Sequence, residues 1–67
     1  MSVDLNIRAI KIRMAETGLN GTQLAQKTKI SRQSISTILR RGSCSMRSAR
    51  ELAYALEMDM DTMIKED

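Results

Sequence analysis

Arg32, Gln33, Ser36, Thr37 and Arg40 lie close together in the chain, and at helical spacing they share one side, opposite Ile35, Ile38 and Leu39. All five form hydrogen bonds and none is acidic. A guanidinium or a primary amide carries paired polar atoms on one plane, which suits bidentate contact with base edges. Hydroxyls and cations suit phosphate oxygens. The chemistry these residues offer is therefore recognition of a polyanion with readable edges.

Other chemistries find few residues. The chain has no His and a single cysteine, Cys44, so a zinc site lacks its ligands and no internal disulfide can form. Neither a catalytic carboxylate pair nor a glycine-rich phosphate loop is visible, and the expectation is a chain that is not an enzyme and needs no cofactor and no small-molecule ligand. Cys44 reads as a loop residue of modest size. A small domain without a disulfide fits a reducing cytoplasm. With Asp4 near the start and no long apolar run, neither a signal peptide nor a membrane span is expected.

Charge is unevenly placed along the 67 residues. Between Arg8 and Arg50 stand ten Lys or Arg and one acid, Glu16. From Glu51 onward six acids oppose Lys65 alone. An ordinary solvated helix surface mixes both signs, whereas a basic stretch with an acidic far end suits a phosphate-binding face.

The elements that must position these residues follow from punctuation. At this length one domain is expected over 1–67, burying about 60% of its unfolded surface. Pro, Phe and Trp are absent and strong helix formers dominate, so the expected class is all-α, a compact bundle of about five short helices. A first helix is predicted over about 4–17, with Val3, Ile7, Ile10 and Met14 on one stripe and Gly18 as its stop. Asn20 and Gln23 have capping-box spacing and open a second helix that reaches about residue 28. Ile30 fills a turn, Ser31 caps a third helix over about 31–39, and Gly42 ends it. Ser43-Cys44-Ser45 reads as a polar loop. Ser45 caps a fourth helix over about 46–56 whose inner face is Met46, Ala49, Leu52, Ala53 and Leu56, with Tyr54 half-buried at the core edge. Asp59 caps a last short helix with Met60, Met63 and Ile64.

Residues 20–39 have the layout of a helix-turn-helix. The stretch from Leu24-Ala25-Gln26-Lys27 through Ile30-Ser31-Arg32-Gln33-Ser34-Ile35-Ser36 and Ile38 to Arg41-Gly42 resembles the Cro/repressor-type (XRE-like) regulators of phages and bacteria. Leu52-Ala53-Tyr54-Ala55-Leu56 is similar to that family's fourth helix, and Asp59-Met60-Asp61-Thr62-Met63 to its fifth. The resemblance implies a lambda-repressor-like fold and a sequence-specific regulator that binds a double-stranded DNA operator, with the helix from Ser31 in the major groove. It implies base contacts from Arg32, Gln33, Ser36 and Thr37. Gln33 can pair with adenine, and Arg32 with guanine or, swung outward, with phosphate. It implies phosphate contacts from Thr22, Gln23, Ser31, Arg40, Arg41 and Ser43, although Arg40 and Arg41 also read as cations at a helix C-terminus. Lys27 and Lys29 are expected near the duplex, and Lys11 and Arg13 at the surface or beside Glu16.

The chain departs from the resemblance at three places. Gly21 stands where many relatives carry a phosphate-clamping Gln, so Thr22 or Gln23 takes that contact or it is missing. Lys29 stands at a turn position often held by Gly, which requires another turn geometry or a left-handed lysine. The exit Leu39-Arg40-Arg41-Gly42 is one residue longer than the commonest pattern. Met58, Met60, Met63 and Ile64 exceed what a short helix can bury, and some of that surface is expected to meet a homodimer partner or a partner repressor protein. Dimers of this type set two recognition helices one DNA turn apart, roughly 34 Å. The rival from another class is a protein-interaction module on the same fold, an antirepressor, modulator or antitoxin.

Overall fold

The computed structural model describes residues 2–65. Its first helix begins where a side chain can satisfy the free N–H groups of a helix start. Asn6 Oδ1 accepts from the Ala9 N–H at 3.1 Å, and α1 runs Ile7–Thr17 to Gly18, which adopts a left-handed φ of 74°. The expected start at residue 4 is thereby corrected. The preceding residues form a short strand, β1 (Ser2–Asp4), antiparallel to β2 (Ser43–Ser45) with Val3 opposite Cys44. The expected polar loop at 43–45 is thus one side of a two-stranded sheet. Three residues carry no periodic signal, and they become a strand only because a partner about forty residues away supplies the hydrogen bonds. Three further backbone bonds bind this corner to both neighbours: Leu5 N–H to the Gly42 carbonyl, Asn6 N–H to Met63, and Lys65 N–H to Asp4.

The remaining helices start at the expected caps. In α2 (Gly21–Lys27) the capping box is complete, with Asn20 Oδ1 accepting from the Gln23 N–H and Gln23 Oε1 from the Asn20 N–H, each at 2.8 Å. Ser31 caps α3 (Arg32–Arg41), which ends at left-handed Gly42. Ser45 caps α4 (Met46–Leu56), and α5 (Met60–Met63) closes the order. Asp59 precedes α5 without a side-chain cap bond, a correction to its expected role.

Every helix puts large side chains into the core, Ile10, Leu24, Ile35, Ile38, Leu52, Leu56 and Met63, with Leu5 from the corner. Ala49 and Ala53 are small enough for neighbouring helices to approach α4 closely. Met46, expected on the inner face, is 47% exposed because it is the first residue of α4, one turn before the inward stripe starts at Ala49. Tyr54 departs furthest from expectation. It is 85% exposed, because the inward side of α4 is already occupied by Leu52, Ala53, Ala55 and Leu56.

Candidate nucleic-acid interface

The buried arc of α3 is Ile35 and Ile38, with Leu39 partly covered. At about 100° per residue, the opposite arc runs from Arg32 and Ser36, through Arg40 and Gln33 at the crest, to Thr37 and Arg41. Arg32, Gln33, Ser36, Arg40 and Arg41 are exposed, while Thr37 is half-buried. No acid occurs on α3, and among the described residues none of its three arginines has a carboxylate partner.

The structure divides all of these residues but Arg40 between two open grooves. On the α2 side, Arg32 and Ser36 face Asn20, Gly21 and Thr22 across one groove. On the other side, Gln33, Thr37 and Arg41 share a groove with Ser43 and the serines around the start of α4. Thr22 is thus grouped with Arg32 and Ser36, and Ser43 with Gln33, Thr37 and Arg41. Gln23, Ser31 and Arg40 line neither groove.

Several hydroxyls and amides are already engaged. The Thr37 hydroxyl donates to the Gln33 carbonyl at 3.0 Å, leaving its lone pairs to accept. Ser31 Oγ accepts from the Ser34 N–H and donates to Ser34 Oγ. The Gln23 oxygen belongs to the capping box, so only its NH2 is free to donate. By contrast, among the described residues the Gln33 side-chain amide has no hydrogen-bond partner, while its backbone carbonyl accepts from Thr37.

The turn before α3 answers the question raised by Lys29. Its φ is not positive; among the described residues, Glu57 is the non-glycine residue with positive φ. Thr28 instead adopts an extended conformation, and its hydroxyl donates to the Leu24 carbonyl at 2.8 Å and accepts from the Ile30 N–H. The Lys29 N–H donates to Glu51 Oε1 at 3.0 Å. Glu51, counted in the sequence only as part of an acidic tail, is a positioning residue for this turn. Arg13 likewise does more than pair with Glu16 at 3.6 Å. Its Nε donates to the Leu56 carbonyl at 2.8 Å and ties α1 to the end of α4. Neither contact has a local sequence signature, because each joins residues more than twenty positions apart.

Lys27 and Lys29 line grooves beside Tyr54. Two other expectations are corrected by position. Met63 is 0% exposed and belongs to the core, so it offers nothing to a partner, while Met58, Met60 and Ile64 are half-buried. Cys44 is buried on β2 rather than placed in a loop, and burial pushes its thiol above the ordinary value.

A capped, acid-free helix set across a short partner by a side-chain-bonded turn is the geometry of a helix-turn-helix. The profile of the Cro/C1-type HTH DNA-binding domain matches residues 9–65. The chain belongs to that family. The match extends from α1 past α5 and leaves β1 outside it. No curated protein and no solved structure matches the chain. As a Cro/C1-type domain it is a binder of double-stranded DNA. Among the described residues, no helix of this Cro/C1-type domain is long and apolar enough to cross a membrane.

Proposed function

We propose that the protein is a sequence-specific transcriptional regulator of Cro/repressor type, acting in the cytoplasm of a bacterial or phage-infected cell. The observation that carries this is the acid-free outer arc of α3, with a free Gln33 amide at its crest and a polar groove on each flank. With α3 in the major groove, Gln33 reads a base edge, and Arg32, Ser36 and Thr37 read or buttress the neighbouring pairs. Arg40, Arg41 and Ser43 hold the phosphates beyond the C-terminal end of α3. Thr22 and the Gln23 NH2 do so at the start of α2, while the Ser31 contribution is limited by its cap bonds. Phosphate contacts supply much of the affinity and base contacts the selectivity. Two copies on a palindrome place two such helices on one face of the duplex.

The exposed Tyr54 and the glycine at position 21 favour a second reading, a module on the same fold that acts by engaging a repressor or another protein. Selection from a random duplex library at two salt concentrations separates the two. An enriched palindrome at both concentrations is expected. Binding that enriches no sequence, and that disappears as salt rises, refutes sequence-specific regulation.

A further inference from the structure

The turn before α3 is bonded mostly within its own helix pair. The Thr28 hydroxyl joins the Leu24 carbonyl to the Ile30 N–H, and Ser31 Oγ accepts from the Ser34 N–H. These bonds shape the turn but do not tie the start of α3 to another helix. Among the described residues, one hydrogen bond reaches residues 28–31 from outside the pair, the 3.0 Å bond from the Lys29 N–H to Glu51 Oε1. Glu51 stands half-buried on α4, in a groove whose other charged residues are Lys29, Arg47 and Arg50. None of these cations forms an ion pair with it, since the one salt bridge among the described residues is Arg13 to Glu16. The carboxylate therefore spends its oxygen on a backbone amide, in a region otherwise basic.

We propose that Glu51, without touching DNA, sets how sharply the domain discriminates between sequences, by fixing the Lys29 backbone to α4 and with it the entry of Arg32 and Gln33 into the major groove. The proposal rests on the reading of α3 as a sequence-specific recognition helix. Lys29 precedes Arg32 by three residues and Gln33 by four. Hydrogen bonds to a base edge hold donor and acceptor at about 2.7–3.2 Å, so a shift of about 1 Å at the start of α3 breaks a bidentate contact. The charge of Glu51 has the opposite effect, because an acid beside a polyanion weakens binding to every sequence alike. Acceptor and charge are separable: Glu51→Gln keeps an acceptor oxygen and removes the charge, whereas Glu51→Ala removes both.

Anisotropy titrations test this on two duplexes, one carrying the sequence selected from the random library and one scrambled. Both Glu51 variants are expected to bind the scrambled duplex about two-fold more tightly, the effect of one charge about 10 Å from phosphate in water. Glu51→Gln keeps the wild-type ratio of selected to scrambled affinity, and Glu51→Ala loses about ten-fold of it. Lys29→Ala retains the backbone N–H, so it weakens binding to both duplexes and keeps the ratio. A merely structural role lowers the melting temperature of Glu51→Ala and leaves the ratio of the folded domain unmoved. An unchanged ratio in folded Glu51→Ala, or an equal loss in Glu51→Gln, overturns the proposal. Backbone amide NMR shifts of the free domain report the positioning without DNA. The Arg32 and Gln33 amides are expected to move in Glu51→Ala and to stay in place in Glu51→Gln. If they stay in place in Glu51→Ala, the proposal falls whatever the DNA results. If they move and the wild type prefers no sequence, the sequence-specific reading fails and the positioning stands.

Discussion

Gly21 separates helix stability from phosphate clamping at a single position. It is the first residue of α2, its φ is not in the left-handed region, and a Cβ built there meets nothing within 4 Å. Glycine is therefore required neither by the backbone nor by packing. Gly21→Ala removes freedom from the unfolded chain and is expected to stabilise the fold by about 0.4–1 kcal/mol. In a domain of this size that raises Tm by about 3–7 °C. Gly21→Gln has the same backbone effect and extends an amide from the rim of the groove that also holds Thr22, Arg32 and Ser36. One added hydrogen bond from the amide to an anionic phosphate contributes about 1.5–3 kcal/mol, or about ten-fold or more in affinity. No charge is added, so the slope of log affinity against log salt stays as in wild type. Thermal melts and anisotropy titrations on the selected operator measure both effects. If Gly21→Ala lowers Tm, the backbone argument is wrong. If the Gln variant binds DNA no more tightly than the Ala variant, α2 does not approach the phosphates from this end.

Gln33→Ala is expected to lose about 1–3 kcal/mol of discrimination at one base pair per half-site, read by repeating the library selection. An unchanged preferred sequence refutes direct readout by that amide. Arg41→Ala is expected to weaken binding to all duplexes alike and to reduce the salt slope by about 0.9, which titrations at several salt concentrations measure. Asn20→Ala opens the capping box at its acceptor and is expected to cost about 1 kcal/mol in chemical denaturation, with 2 as the upper end. The buried Cys44 thiol is raised above its ordinary 9.0, so the folded state keeps that proton to higher pH than the unfolded chain. Its contribution to stability is complete below the unfolded value and declines as pH rises through the folded one. Cys44→Ala is expected to show a shallower alkaline loss of stability in melts across that range.

Much of the helical layout was legible because its signals are local. The Asn20–Gln23 box, the serine caps at 31 and 45, and the glycine stops at 18 and 42 all act within a few residues, and all are observed. The apolar face of α3 and its acid-free outer arc follow from the same short-range periodicity. The strand pair was not legible, since neither three-residue segment has a pattern of its own. Met46 and Tyr54 were misplaced because helical spacing tells which residues share a face, but not how much of that face its neighbours cover.

The sequence alone determined the helices, most of their ends and the chemistry of the α3 surface, since capping, glycine stops and side-chain periodicity are properties of adjacent residues. Only the tertiary structure decided that Glu51 holds the turn, that Arg13 joins α1 to α4, and that Lys27 and Lys29 line grooves beside Tyr54. It also distributed most of the candidate DNA contacts between two grooves. These arrangements depend on which helix packs on which, and that is set by the shared core of Ile10, Leu24, Ile35, Leu52, Leu56 and Met63, to which every helix contributes.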